Sequence, residues 1–147
     1  MKLGIMGFGH IAQAFVKGLL NTDIVSCDDV YITARSSQTR LSAKEVFGVN
    51  ACESNTDLLN TCDLIFICLP AKAFYEETAF KKLVLKNKTF VSFMAGVKIS
   101  KIKEVIGDAN IIRAMPNLGM ADNDGVTAYT KTNDQNVIKI FNSLGYA

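Results

Sequence analysis

The stretch Lys2-Leu3-Gly4-Ile5-Met6-Gly7-Phe8-Gly9-His10-Ile11-Ala12 decides how this chain folds. A short apolar run enters a GxGxxA turn, and an amphipathic segment leaves it. Gly7 allows the tight turn, Gly9 lets the backbone approach a pyrophosphate with no Cβ in the way, and Ala12 permits close packing of helix on strand. The first turn of the helix then offers free N–H groups and the positive end of its dipole to phosphate. An ordinary glycine turn of an α/β protein reads the same way locally. The strand at the N-terminus and the complete βαβ unit that follows favour dinucleotide binding.

Working outward, further apolar runs recur at Val30–Thr33, Asp63–Leu69, Thr89–Phe93 and Asn110–Ala114. Each is rich in Ile, Val or Phe and bounded by turn residues, so each reads as a buried strand, as does Lys2–Met6. Helical spacing fills the intervals at about Ile11–Leu20, Thr39–Phe47, Thr56–Asn60, Tyr75–Leu83 and Ser100–Ile106. A short strand at Val126–Tyr129 and a helix from Asn133 to Leu144 follow, with Gly145 expected as its C-cap. Strand and helix alternate, which predicts an α/β fold of the Rossmann type: a doubly wound, mainly parallel sheet with helices on both faces. The two prolines, Pro70 and Pro116, both fall just after predicted strands, where an open sheet of this kind places its ligand crevice.

With 147 residues, 49% of them hydrophobic, and a positive mean hydropathy, the chain has enough apolar surface for one buried core and one domain. Sixteen basic against fourteen acidic residues leave a charge of +2. That is too little for a nucleic-acid or membrane surface, and it points to a small-molecule partner. Cys27, Cys52, Cys62 and Cys68 form no CxxC pair, so neither a metal site nor a disulfide framework is expected, and a cytoplasmic setting fits. Residue 1 reads as a true start, and the end at Ala147, where another strand could begin, reads as a truncation.

The second strand should end on the residue that meets the adenine ribose, where an NAD site commonly carries a carboxylate. Here it runs into Thr33-Ala34-Arg35-Ser36-Ser37. A guanidinium with neighbouring hydroxyls suits a 2′-phosphate, so NADP(H) is expected over NAD(H). The plainer reading is a solvated arginine beside a serine N-cap. His10, the only histidine, sits in the phosphate loop, where its backbone N–H is the useful group; no nucleophile is visibly paired with it. Downstream, Arg113-Ala114-Met115-Pro116-Asn117 ends a strand. Pro116 fixes the chain exit and Asn117 offers an amide and backbone N–H groups to a small anion, although Pro-Asn is also a common turn.

The order of these pieces resembles pyrroline-5-carboxylate reductase. The resemblance extends over essentially the whole chain, from the GxGxxA start through Asn55, Cys68-Leu69-Pro70-Ala71 and Val91-Ser92-Phe93-Met94-Ala95-Gly96-Val97 to Arg113–Asn117. It implies that residues 1–147 are an NADP(H)-binding domain whose helical, dimer-forming C-terminal partner domain is absent from this chain. It implies cofactor contacts at Met6, Gly7, Phe8, Gly9, His10 and Ile11, at Arg35 and Ser36, and at Asn55 near the adenosine. Contacts near the nicotinamide are implied for Cys68, Leu69, Pro70 and Ala95, and a substrate lining for Met115, Pro116 and Asn117. The implied activity is NADPH-dependent reduction of a cyclic imine to proline by a homo-oligomeric enzyme, with no metal and no assigned catalytic residue.

Two departures stand out. The family usually shows Ala-Val-Lys-Pro where this chain has Cys68-Leu69-Pro70-Ala71, and Thr-Pro where it has Leu118-Gly119. They leave open a related NADP-dependent oxidoreductase with another substrate, including 6-phosphogluconate-dehydrogenase-like and deazaflavin-linked types. A non-catalytic dinucleotide-binding module is the reading from a different class.

Overall fold

The computed structural model describes residues 1–146. Its central sheet is built from β1 (Leu3–Met6), β2 (Val30–Thr33), β3 (Asn50–Ala51), β4 (Leu64–Ile67), β5 (Thr89–Ser92) and β6 (Asn110–Met115), with β8 (Ala128–Tyr129) at one edge. The seven strands lie in the order β3-β2-β1-β4-β5-β6-β8. All neighbours are parallel except β6 and β8. A second, two-stranded parallel sheet joins β7 (Gly125–Val126) to β9 (Gly145–Tyr146). The helices are α1 (His10–Leu20), α2 (Ser37–Phe47), α3 (Asn55–Thr61), α4 (Ala71–Glu76), α5 (Ile99–Ile106) and α6 (Gln135–Ser143). The strand order reverses between β1 and β4, which opens a crevice at their carboxyl ends.

Burial explains why the strands read as continuous apolar runs. Every residue of β1 and β4 is buried, because both faces of a parallel sheet are covered. Leu3, Ile5, Leu64, Phe66 and Val91 point into a core closed by Ala12, Phe15 and Val16 of α1, Ala43 of α2 and Val137, Ile140 and Phe141 of α6. The alternate residues Met6, Ile65, Ile67 and Phe90 point into a second core, closed by Leu58 and Leu59 of α3, Phe74 of α4, and Ile102 and Ile106 of α5. Aromatic rings lock the first core: Phe15 and Phe66 lie 4.5 Å apart, and Phe15 meets Phe93 edge-on at 5.3 Å. Such pairs add about 0.5–1.5 kcal/mol each beyond area burial.

The expected elements Lys2–Met6, Val30–Thr33, Asp63–Leu69, Thr89–Phe93 and Asn110–Ala114 are present within two residues of their ends. Three expectations need correction. The helix placed at Tyr75–Leu83 is instead α4, ending at Glu76, followed by a 3-10 turn at Ala79–Lys81. Pro70 starts α4 early with its fixed φ, and Glu77 then leaves helical geometry while its carboxylate accepts the Ala79 N–H at 3.1 Å. The strand placed at Val126–Tyr129 divides at buried Thr127: β7 pairs with β9, and β8 with β6. Gly145 is not the C-cap of α6; Leu144 is, and Gly145, at φ +134°, opens β9. A Cβ there would overlap the carbonyl of Gly125. The two-residue strand β3, too short to show a pattern, went unseen.

Candidate functional site

The glycine loop stands where β1 gives way to α1. Gly7 has φ +87°, and a Cβ on it would lie 2.9 Å from the Cys68 carbonyl oxygen at the end of β4. Its N–H donates to Thr33 Oγ1 at 3.2 Å, so this amide is spent on the end of β2. Gly9 differs. It is the N-cap residue of α1, no side chain caps that helix, and a Cβ on it would meet nothing within 4 Å. By contrast Ser36, Ser54 and Asp134 cap α2, α3 and α6 with their side chains. The N-terminus of α1 therefore faces open space with its first N–H groups unserved by side chains, as a phosphate seat requires.

That space is a cleft of about 1050 Å³ along the carboxyl ends of the strands. Gly7, Phe8, Gly9 and Ile11 line it, as do Arg35, Ser36, Asn55, Cys68, Leu69, Pro70 and Ala95. Met6 and His10 do not. Met6 is fully buried in the second core, while its carbonyl accepts the Cys68 N–H at 2.8 Å; His10 is exposed on the first turn of α1. Met115 ends β6, and Pro116 and Asn117 follow it at the same sheet edge, all three outside the cleft lining. Asn117 Oδ1 accepts the Gly119 N–H at 3.1 Å and the Val126 N–H at 3.4 Å, so it caps its own turn.

At the far end of the cleft, Ser36 Oγ accepts the Thr39 N–H at 3.1 Å and donates to Thr39 Oγ1 at 2.8 Å. Both of its hydrogen-bonding roles serve the start of α2, which leaves Thr39, another lining residue, with a hydroxyl proton for a ligand. Arg35 is exposed on the cleft and joins no ion pair among the described residues. Arg40 is held: its Nη1 donates to the Ala34 carbonyl at 2.8 Å, and its Nη2 lies 4.0 Å from Glu53. Sequence reading missed Thr39 and Arg40 because it began α2 at Thr39; with Ser36 as N-cap, both fall on the first turn facing the cleft.

Near the other end, burial pushes the Cys68 thiol far above its ordinary range, which keeps it protonated and unreactive. Leu69, Pro70 and Ala71 continue this wall as apolar and backbone surface, and Phe93 and Met94 also line the cleft. Asn55 sits between the glycine loop and the α4 exit: Thr33 Oγ1 donates to its Oδ1 at 2.7 Å, and its Nδ2 donates to Glu77 Oε2 at 2.7 Å. Among the described residues no group of three His, Cys, Asp or Glu side chains is placed to hold a metal.

Comparison with known proteins agrees with this architecture. A family model described as NADP oxidoreductase coenzyme F420-dependent matches residues 2–96. The chain is 32% identical to pyrroline-5-carboxylate reductase of Staphylococcus aureus (strain COL), over 91% of this chain and 51% of that protein. It is 29% identical to pyrroline-5-carboxylate reductase 2 of Bacillus subtilis, over 88% of this chain and 47% of that protein. The chain thus spans about half the length of the curated relatives it matches. Among solved structures, 1-pyrroline-5-carboxylate reductase from Streptococcus pyogenes superposes with a TM-score of 0.82 at 27% identity, covering 99% of this chain and 56% of that one. Pyrroline carboxylate reductase of Plasmodium falciparum with NADP bound gives 0.79 at 25% identity, with the same coverage. The sheet order, the glycine loop on its switch point and a match over 2–96 together show that the chain belongs to the NADP oxidoreductase, coenzyme F420-dependent family.

Proposed function

We propose that residues 1–147 are the NADP(H)-binding domain of an enzyme that reduces pyrroline-5-carboxylate to proline. One observation carries the cofactor half: Arg35, in no ion pair among the described residues, lines the same cleft as the N-terminus of α1, which no side chain caps. A cation at the end of β2, where a carboxylate would hold the ribose of NAD, favours a 2′-phosphate. The relatives' names support the substrate half.

The residues present fit such a cofactor. Gly9 leaves room for a pyrophosphate and α1 supplies N–H donors, while Phe8 and Ile11 complete the loop. Arg35, with the Thr39 hydroxyl, recognises the 2′-phosphate, and Asn55 serves the adenosine end. Leu69, Pro70, Ala95 and the protonated Cys68 form a neutral wall that keeps water from the nicotinamide end. Bound there, NADPH supplies the hydride. Met115, Pro116 and Asn117 begin the substrate side, which the second domain of the longer relatives would complete. No residue of this chain is assigned as proton donor.

The same reading makes the protein a cytoplasmic homo-oligomer acting on a small imine, with neither nucleic acid nor membrane as partner. Its near-balanced charge supports the last part, a partner that is neither nucleic acid nor membrane; among the described residues no helix is long and apolar enough to cross a membrane. A related reductase acting on another imine is favoured by one observation: Leu69, Pro70 and Ala71 line the cleft where the resembling family carries a lysine.

Fluorescence titration and a steady-state assay test the proposal. The purified chain should bind NADPH yet turn over pyrroline-5-carboxylate negligibly, because half of the substrate site is elsewhere. Failure to bind NADPH or NADH refutes the cofactor reading; saturable turnover refutes the division of the site between two domains.

A further inference from the structure

Residues from four separate segments form one hydrogen-bonded chain beside the glycine loop. The Gly7 N–H donates to Thr33 Oγ1 at 3.2 Å, Thr33 Oγ1 donates to Asn55 Oδ1 at 2.7 Å, and Asn55 Nδ2 donates to Glu77 Oε2 at 2.7 Å. The other carboxylate oxygen, Oε1, accepts the Ala79 N–H at 3.1 Å. Glu77 and Asn55 both line the cleft, and both are half-buried.

The direction of this chain is set at its end. An ionised carboxylate accepts hydrogen bonds and donates none, whereas an amide and a hydroxyl do both. Glu77 therefore draws the Asn55 NH2 toward itself, which turns the Asn55 oxygen to Thr33. That oxygen takes the Thr33 proton, and a lone pair on Thr33 is left for the Gly7 amide. Asn55 has a second Nδ2 hydrogen, which meets no protein acceptor among the described residues. Toward a ligand in the cleft, this Nδ2 hydrogen is thus a free donor.

We infer that Glu77 is a positioning residue: it fixes Asn55 as a hydrogen-bond donor to an oxygen of the bound nucleotide and, through Thr33, holds the glycine loop in place. The ligand half rests on the NADP(H) reading above; the loop half does not. No motif marks Glu77, which lies 22 residues from Asn55 and outside every segment that suggested a cofactor site.

Swapping the ends of one bond tests this. Four variants are compared with wild type: E77A, E77Q, N55D and N55D/E77Q. Thermal midpoint and Gly7 amide exchange are measured without ligand, and NADPH affinity by fluorescence titration. E77A should speed Gly7 exchange and weaken NADPH roughly tenfold, the scale of one hydrogen bond to a charged group. E77Q sets an NH2 against one of two donors and should fall between wild type and E77A. N55D opposes two carboxylates and should be the least stable. In N55D/E77Q the glutamine donates to the new carboxylate, which still accepts from Thr33, so stability and Gly7 protection should return to near wild type. NADPH should remain roughly tenfold weaker there, because a donor facing the ligand has become an acceptor. Wild-type NADPH affinity in the double variant overturns the donor role, and unchanged Gly7 exchange in E77A overturns the positioning role. Wild-type protein that binds neither NADPH nor NADH refutes the cofactor reading, while Gly7 exchange in the ligand-free protein still decides the role of Glu77.

Discussion

Two glycines of the same loop should respond differently to alanine, because the structure requires them for different reasons. Gly7 has φ +87°, and a Cβ would sit 2.9 Å from the Cys68 carbonyl oxygen and 3.1 Å from its carbon. An L-residue in that region costs roughly 1–2 kcal/mol, and forcing backbone apart in a packed site costs about 1–3 kcal/mol more. Gly7→Ala should thus lose about 3 kcal/mol, which for a chain of this size lowers Tm by on the order of 10 °C. Gly9 has φ −82° and open space where its Cβ would be. Gly9→Ala should leave Tm nearly unchanged, since the unfolded-state entropy that alanine removes, worth about 0.4–1 kcal/mol, is offset by its poorer fit at the N-cap of α1. Its methyl would instead occupy the approach to the pyrophosphate and weaken NADPH by at least tenfold. Differential scanning fluorimetry gives the stabilities and nicotinamide fluorescence the affinities. Equal loss of stability in both variants, or wild-type NADPH affinity in Gly9→Ala, would refute the division of labour argued here.

Cofactor choice provides a second check. Arg35→Ala should weaken NADPH about tenfold by calorimetry while leaving NADH nearly unchanged, the lower end of a charge-assisted bond because Arg35 is exposed; equal losses for both would make Arg35 a surface cation. Alkaline stability provides a third. Burial, reinforced by neighbouring Cys52, pushes the Cys62 thiol up to about 12 from 9.0, so between those values the unfolded chain releases a proton that the folded chain keeps. Stability should therefore fall as pH rises through that window. Cys62→Ala should flatten the decline in urea midpoints from pH 9 upward, and an unchanged slope would remove Cys62 as its source.

What the sequence disclosed and what it concealed divide along the range of the interactions. The parallel, double-sided sheet was legible because covering both faces leaves a composition: Leu3–Met6 and Leu64–Ile67 are buried at every position, so they lack the alternation of a half-exposed strand. The glycine loop was legible because Gly7 and Gly9 act on neighbours in the chain. Arg35 was legible because the end of β2 has a fixed meaning in this topology. The end of α4 was not, since apolar residues at helical spacing continue through Leu83 whether or not the helix does. What stops it is the Glu77 carboxylate, committed to the Ala79 N–H and to Asn55. A hydrophobic pattern carries no record of such bonds. Asn117 shows the same limit from the other side: its residue type suits an anion, but its oxygen is spent on Gly119 and Val126. A polar side chain announces its capacity in sequence, and only the fold reveals to whom that capacity is already given. The candidate site was therefore read best where glycines shape the backbone of the cleft, at Gly7 and Gly9, and worst where one side chain sets the state of another, as along Thr33, Asn55 and Glu77.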